Sequence, residues 1–195
     1  NHFDLNLELT EYLRKSGKEE FLAELEFERA VVQYYYTRQR QLLGLGHAVL
    51  CAQPFVGQQP FVVALGDSII GLHAQSTVVD RMIGIFDHTQ AAAVIAFEEV
   101  PFDEVTQYGI AKPKKPGDVF EVQELIEKPS VEEAPSNLAI AARYVLSPDI
   151  FNAIRRTKPD KGGEIQLTDA IRLLIQNDKK VIGVLLNSEE KRYDI

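Results

Sequence analysis

Hydrophobic positions follow two patterns along the chain, helical spacing and short continuous apolar runs. Helical spacing over residues 5–30 predicts one or two amphipathic helices. The apolar or β-branched runs predict strands at 31–36, 61–65, 91–97, 140–146 and 181–186. Further helices are predicted at about 47–53, 77–88, from 147 onward and at 168–176. Strands that alternate with helices indicate an α/β domain with a mixed, mainly parallel sheet flanked by helices.

Local details sharpen this expectation at three places. The run at 61–65 ends in turn residues, which suits a strand buried on both faces. Shorter strands at 109–112 and 119–126 flank a Lys- and Pro-rich turn and predict an antiparallel insertion. Ser147 precedes Pro148, so its side chain is expected to cap the next helix.

Composition and charge narrow the possible partners. The 195 residues carry a formal charge of −8, which argues against non-specific binding to nucleic acid or to an anionic membrane. Cys51 is the only cysteine, so neither an intrachain disulfide nor a cysteine zinc cluster is expected, and a reducing cytoplasm fits. No apolar run is long enough to span a membrane, and no signal peptide is expected.

Candidate functional residues follow the predicted strands, where open α/β sheets bind their ligands. Asp67 follows the strand at 61–65 and is a candidate Mg²⁺ ligand, although a turn or helix-cap aspartate is the plain alternative. Glu127 and Lys128 follow the strand at 119–126. Such a carboxylate accepts hydrogen bonds from sugar hydroxyls and such a lysine meets a phosphate, but a surface ion pair explains the same residues.

Two glycine-containing segments are further candidates. Gly44 and Gly46 precede a predicted helix and would expose amide donors to a flat ligand, while the Gln39 amide suits the edge of a uracil ring. An ordinary tight turn explains the glycines equally well. Residues 163–171 form a helix entry whose polar residues are explained largely by capping. Asp194, near the end, carries no meaning by itself.

Taken together, these segments resemble one family. Residues 44–49 look like its uridine-binding turn, residues 126–129, 134–140 and 143–146 look like its sugar-binding stretch, and residues 163–171 are similar to a characteristic segment. The segments occur in the family's order over essentially the whole chain. The family is the bacterial UTP–glucose-1-phosphate uridylyltransferases, within the wider sugar-1-phosphate nucleotidyltransferases, which implies a Rossmann-like nucleotidyltransferase fold.

The resemblance implies a role for individual residues. The nucleotide would be bound by Gln39, Gly44 and Gly46, and Mg²⁺ by Asp67 and Asp194. The sugar would be bound by Gly109, Glu127, Asn137, Ala139 and Ile140. Lys128 would bind the sugar phosphate, and Lys128, Asp67 and Asp194 would be the catalytic residues.

The implied reaction is attack of glucose 1-phosphate on the α-phosphorus of UTP, which forms UDP-glucose and pyrophosphate. The resemblance also implies a cytoplasmic homo-oligomer, a dimer or tetramer. A thymidylyltransferase or another sugar nucleotidyltransferase remains the close alternative. A non-catalytic sugar-nucleotide-binding module and a purely structural α/β domain are the alternatives from other classes.

The sequence departs from the family pattern at several points. Ala142 stands where a glycine is usual, and residues 65–68 look more like the thymidylyltransferase branch. The family's N-terminal Gly-rich loop and its C-terminal helices have no counterpart in residues 1–195. We therefore expect a single, partial nucleotidyltransferase domain cut at both ends, with little activity as the literal 195-residue chain.

Overall fold

The structure is a computed structural model that describes residues 7–18, 20–21, 33–71 and 76–194. The chain packs as two compact units, residues 1–38 and residues 39–195. In the first unit, helix α1 spans Leu7–Lys15, with Glu8 in its first turn and two basic residues in its last turn. This charge placement complements the helix dipole. The helix lies within the predicted helical stretch at 5–30, of which residues 5–6, 19 and 22–30 are outside the described part.

The predicted strand at 31–36 is wrong where the structure tests it. Residues 33–36 have no regular secondary structure, and residues 31–32 lie outside the described residues. The side chains of Tyr34, Tyr35 and Tyr36 are 39%, 69% and 51% exposed. Aromatic residues favour strands because they pack on a half-buried sheet surface. Residues 33–36 are not part of a sheet.

The second unit contains the other helices and strands of the described residues. The helices are α2 Gly44–Cys51, α3 Gln53–Val56, α4 Val78–Thr89, α5 Asp149–Arg156 and α6 Leu167–Gln176, with a 3₁₀ helix at Phe102–Gln107. The strands are β1 Phe61–Ala64, β2 Ser68–Ile70, β3 Ala93–Glu99, β4 Gly109–Pro113, β5 Val119–Glu127, β6 Leu138–Leu146, β7 Val181–Leu185 and β8 Arg192–Asp194. None of the helices in the described ranges is long and apolar enough to cross a membrane.

Six strands form one mixed sheet in the order β1-β6-β3-β7-β5-β4, and β2 pairs with β8 in a separate ribbon. The α/β class and the mixed sheet flanked by helices are confirmed. Strands β3 and β7 run parallel, and the other pairs in the described residues are antiparallel, so the parallel share is smaller than expected. The predicted antiparallel insertion is confirmed as the pair β4–β5.

Strand β3 is the centre of the core because its apolar run is buried on both faces. Residues Ala93, Ile95 and Phe97 belong to the cluster that includes residues of α5 and α6, whereas Val94 and Ala96 belong to the cluster with α4. Successive strand residues point to opposite faces, so a continuous apolar strand serves two helical layers. The sheet therefore lies between helices on both sides.

Two local predictions are corrected by the structure. Strand β1 is not buried on both faces: its residues alternate between half-buried and exposed, and Val62 is 41% exposed. Ser147 does not cap helix α5 with its hydroxyl: that helix has no side-chain cap hydrogen bond, and the Ser147 hydroxyl is buried without a partner. The backbone carbonyl of Ser147 instead accepts from the Ile150 amide at 3.2 Å.

Candidate functional site

The end of strand β5 places Glu127 in a partly buried polar corner. Glu127 lies opposite Gly109 in the β4–β5 register, and the Thr168 hydroxyl at the start of α6 donates to its carboxylate. Burial raises the pKa of Glu127, while the Thr168 hydrogen bond and the charge of Lys128 act in the opposite direction. A partly buried carboxylate is stabilised by each additional hydroxyl that donates a hydrogen bond to it. This corner is therefore suited to a polyhydroxyl ligand.

Gly109 is required for the close packing of this corner. A Cβ atom at Gly109 would lie 2.8 Å from the Cδ1 atom of Ile140, 3.0 Å from the Thr168 hydroxyl and 3.2 Å from a Glu127 carboxylate oxygen. These distances are shorter than the van der Waals contacts found in packed interiors. A side chain at position 109 would therefore push apart the groups that form the polar corner.

Lys128 continues the corner in a strained backbone conformation. Its φ is +44°, in the left-handed region, and its amide donates to the Tyr108 carbonyl at 2.9 Å. The left-handed region costs a non-glycine residue about 1–2 kcal/mol, and such strain concentrates at functional sites. The turn leaves the Lys128 side chain exposed beside the Glu127 carboxylate.

The ribbon β2–β8 brings together the two aspartates that are far apart in sequence. Asp194 lies opposite Ser68 in the register, and Asp67 is the residue immediately before Ser68. Asp67 is exposed, and the side chain of Asp194 is 54% exposed. Among the described residues, no group of three or more His, Cys, Asp or Glu side chains is placed to hold a metal ion. Two carboxylates that face solvent fit Mg²⁺, which uses one or two carboxylates together with substrate phosphates.

Arg143 supports the turn that carries Asp67. Its guanidinium donates to the carbonyls of Leu65 at 3.3 Å, Ser68 at 2.8 Å and Ala142 at 2.9 Å. Burial lowers the pKa of Arg143, and the charge of Asp67 opposes that effect. One side chain on β6 thus holds both sides of the Asp67 turn.

A β-bulge in β6 directs Arg143 toward this turn. The register of β3 and β6 shifts between Ile95 and Phe97, and Ala142 has a φ of +54°. The carbonyl of Ala142 also accepts from the Leu65 amide at 3.2 Å. Glycine adopts this backbone conformation without strain, which explains why glycine is usual here in the family that the sequence resembles.

The Gly44–Gly46 segment pairs with the segment that precedes helix α6. The Ile165 amide donates to the Leu43 carbonyl and the Gly46 amide donates to the Ile165 carbonyl, each at 2.8 Å. A Cβ atom at Gly44 would lie 2.9 Å from the Ile165 nitrogen and oxygen, and one at Gly46 would lie 2.8 Å from that oxygen. Both glycines therefore permit a close backbone approach, here between two segments of the same chain.

Asp160 holds the loop that carries Ile165 on the other side of this pairing. Its carboxylate accepts from the amides of Gly162 at 2.8 Å and Glu164 at 3.0 Å, and from the Gln166 side chain at 2.9 Å. The Gln166 hydrogen bond is the largest of the contacts that lower the pKa of Asp160. The loop that carries Ile165 is thus fixed by an ionised carboxylate before helix α6 begins.

Arg192 links the β2–β8 ribbon to the polar corner at Glu127. Its guanidinium pairs with Glu98 at the end of β3, lies 3.4 Å from an Asp194 oxygen, and stacks 4.5 Å from the centre of the Tyr108 ring. Burial lowers the pKa of Arg192, but the charges of Glu98 and Asp194 and the contact with Tyr108 outweigh burial, so the net direction is upward. The arginine therefore stays charged and connects residues from three parts of the chain.

A cavity of about 170 Å³ opens among these groups. Its lining includes Leu45, Leu65, Gly109, Glu127, Thr168 and Arg192. A larger cavity of about 580 Å³ lies where β3 and β7 begin, next to Ala92 and Lys180. We place the functional site at the smaller cavity, because ligands of open α/β sheets bind at the carboxyl ends of strands and the predicted site residues are absent from the larger one.

The chain is similar to known proteins along most of its length. The nucleotidyl transferase family matches residues 6–190. The chain belongs to this family. It is 41% identical over 172 residues to a UTP–glucose-1-phosphate uridylyltransferase of Pseudomonas aeruginosa, covering 88% of this chain and 61% of that protein. The chain spans 61–66% of the length of the curated relatives it matches.

Solved structures are similar to the chain along most of its length. A UDP-glucose pyrophosphorylase in complex with UDP-glucose has a TM-score of 0.83 and 37% identity, covering 92% of this chain and 67% of that one. A UTP-bound enzyme from Acinetobacter baumannii has a TM-score of 0.78 and 38% identity, covering 100% of this chain and 66% of that one. The resemblance to the uridylyltransferases is confirmed at the level of family.

The structure places three of the predicted residues at the small cavity and gives two others another environment. Gly109, Glu127 and Ile140 line the small cavity. Ala139 is fully buried in a cluster with Val100, so its side chain does not line the cavity. The Asn137 side-chain amide donates to the Val100 carbonyl at 3.2 Å. Asn137 and Ala139 thus support the edge of the site through the core.

Sequence reasoning did not find Thr168, Arg143 or Arg192 as individual site residues. Thr168 and Arg143 lay inside segments already singled out, and Arg192 immediately precedes Tyr193 and Asp194. Their partners are distant in sequence: Glu98 and Arg192 are 94 positions apart. The signal that could have found them is a charged or hydroxyl residue inside an otherwise apolar element, such as Arg143 in β6.

Proposed function

We propose that the protein is a UTP–glucose-1-phosphate uridylyltransferase. The observation that carries the proposal is the convergence of three segments on one small cavity. These are the Gly44–Gly46 segment, the polar corner at the end of β5 and the helix entry at Thr168. Relatives at about 40% identity that bear this enzyme name support it, as do similar structures that hold UTP or UDP-glucose.

In the proposed reaction, a phosphate oxygen of glucose 1-phosphate attacks the α-phosphorus of UTP. The bond from the α-phosphorus to the oxygen shared with the β-phosphorus breaks, and pyrophosphate leaves with that electron pair. A phosphate monoester is already a nucleophile near neutral pH, so the protein needs no general base. Its task is to position the two substrates and to offset their charge.

The chain's own residues fit these tasks. Glu127 accepts hydrogen bonds from sugar hydroxyls while the Thr168 hydroxyl holds its carboxylate in place. The exposed Lys128 meets the sugar phosphate as a point charge. Asp67 and Asp194 would hold the divalent cation, supported by Arg143 and Arg192. When bound, such a cation neutralises charge shared by the nucleotide and sugar phosphates.

We also propose the cation, the domain organisation and the assembly of the protein. We propose Mg²⁺ as the cation, because two solvent-facing carboxylates offer hard oxygen ligands and leave positions for phosphates. We propose that the chain is part of one nucleotidyltransferase domain. A cytoplasmic homodimer or homotetramer is proposed from the family resemblance, and the single Cys51 suits a reducing compartment.

The activity assays use the full-length protein of which the chain is proposed to be part, because little activity is expected of residues 1–195 alone. Its incubation with UTP, glucose 1-phosphate and MgCl₂ tests the proposed reaction. We expect UDP-glucose and pyrophosphate in equal amounts, and no product in the presence of a chelator. Replacement of UTP by dTTP separates the thymidylyltransferase alternative, because uracil and thymine differ by one methyl group. Absence of UDP-glucose with every cation tried would overturn the proposal.

The variant Asp67→Asn tests the metal site within the same assay. We expect it to lose nearly all Mg²⁺-dependent turnover while it keeps the fold, since Asp67 is exposed. Asp87→Asn is the matched control, because Asp87 is an exposed aspartate beside the larger cavity at the opposite strand ends. Wild-type turnover by Asp67→Asn would remove Asp67 from the site.

A further inference from the structure

The side chain of Gln39 is held in one orientation by two acceptors. Its amide nitrogen lies 3.0 Å from the Gly44 carbonyl oxygen and 2.8 Å from the Nδ1 atom of His47. A carbonyl oxygen only accepts, so the atom facing Gly44 is the nitrogen of the amide rather than its oxygen. The second N–H of the same nitrogen then points to Nδ1, which accepts it with the imidazole proton on Nε2.

These two contacts use both donors of the amide. The Gln39 oxygen is then the atom with which the amide meets a further ligand, and an oxygen only accepts. Gln39 and His47 are both half-buried, so a wrongly matched polar group here is only partly compensated by water. The amide therefore offers an acceptor, and not a donor, to a ring placed against it.

Helix α2 makes this arrangement rigid at its first turn. The Gly46 amide is hydrogen-bonded to the Ile165 carbonyl at 2.8 Å, and His47 is the next residue. The Cys51 thiol lies one turn further along, 3.9 Å from the same Nδ1 atom. A thiol is a weak donor, so the amide of Gln39 is the stronger partner of that nitrogen.

We propose that His47 is a positioning residue that, with the Gly44 carbonyl, turns the Gln39 oxygen toward the base and so selects a pyrimidine whose ring N3 carries a hydrogen. Uracil and thymine have this N–H, whereas cytosine has an unprotonated acceptor at N3 that would face the Gln39 oxygen. The inference rests on the proposed function and adds the residue that sets the polarity of base recognition. It predicts discrimination against CTP and no discrimination between UTP and dTTP by this contact.

The test compares kcat/KM for UTP, dTTP and CTP in three variants. His47→Leu removes one of the two acceptors and leaves only the Gly44 carbonyl to orient the amide. We expect the UTP-to-CTP ratio to fall roughly threefold to tenfold, the effect of one lost hydrogen bond. His47→Asn places an oxygen where Nδ1 was, so the ratio should be restored. Cys51→Ala keeps His47 and Gln39, so the wild-type ratio is expected. The dTTP-to-CTP ratio should follow the same pattern.

The outcomes separate this inference from the function on which it rests. If the wild-type protein uses no pyrimidine nucleotide, the proposed function fails. If it prefers UTP to CTP and a folded His47→Leu keeps that preference, the inference alone fails. Should His47→Leu not fold, ¹⁵N NMR of the wild-type protein decides. An unprotonated Nδ1 of His47 bonded to the Gln39 amide supports the inference, and a protonated Nδ1 overturns it.

Discussion

Gly46→Ala reverses the usual effect of replacing a helical glycine. Alanine in a helix interior is favoured over glycine by about 1 kcal/mol, so the substitution should stabilise helix α2 if propensity alone decided. In this structure, however, the added Cβ atom would lie 2.8 Å from the Ile165 carbonyl oxygen. That oxygen accepts the Gly46 amide hydrogen bond, so the two segments must separate or the bond must be lost.

The costs outweigh the gain from helix propensity. Overpacking in a well-packed region costs about 1–3 kcal/mol. Loss of a hydrogen bond costs about 1 kcal/mol more. Set against the propensity gain of about 1 kcal/mol, the free energy of unfolding should fall by roughly 1–3 kcal/mol. For a domain of this size, each kcal/mol lowers the Tm by about 2–4 °C.

Gly84→Ala is the matched control for this prediction. Gly84 lies inside helix α4, and a Cβ atom added there would meet nothing within 4 Å. Helix propensity should then dominate, and the free energy of unfolding should rise by about 0.5–1 kcal/mol. Urea denaturation of both variants gives the two free energies directly. The reasoning is refuted if Gly46→Ala is as stable as the wild type while Gly84→Ala behaves as expected.

The remaining predictions concern the polar groups of the site. Glu127→Gln should bind glucose 1-phosphate more weakly, measured by titration calorimetry, yet unfold less readily at neutral pH. Because burial raises the folded pKa of Glu127, the wild-type free energy of unfolding falls as pH rises from the ordinary value of 4.5 through the raised one. The variant should lack that slope, and an identical pH dependence of denaturation would contradict the assignment. Arg143→Met removes the donor of three hydrogen bonds to backbone carbonyls and should cost about 1–3 kcal/mol of stability. It should also weaken Mg²⁺ binding, whereas unchanged metal affinity would mean that the Asp67 turn does not depend on Arg143.

Elements whose pattern is local could be predicted from the sequence. Strand β3 is a continuous apolar run that is buried on both faces, and helices α4 and α6 have one apolar face each. Asp67 and Glu127 were predicted as candidates because each follows a predicted strand, and the end of a strand is where this class of sheet binds ligands. The physical reason is that periodicity and turn chemistry are encoded within a few residues.

Features that depend on distant partners could not be predicted. The ribbon β2–β8 joins strands of three residues each, which have no periodicity of their own. Burial of β1 was overestimated because distant segments decide whether each face of the strand is covered, and the run at 61–65 does not encode them. The strain at Ala142 likewise arises from a register shift between two strands. In the same way, the role of Gly44 and Gly46 as a contact surface for Ile165 depends on residues about 120 positions away.

One isotope experiment tests the proposed uridylyl transfer most directly. The protein is incubated with glucose 1-phosphate, Mg²⁺ and UTP labelled with ³²P at the α-phosphorus, and the products are separated. The label should appear in UDP-glucose, and the pyrophosphate should be unlabelled, because the sugar phosphate attacks the α-phosphorus. Label in UMP without UDP-glucose, or no transfer of label at all, would contradict the account.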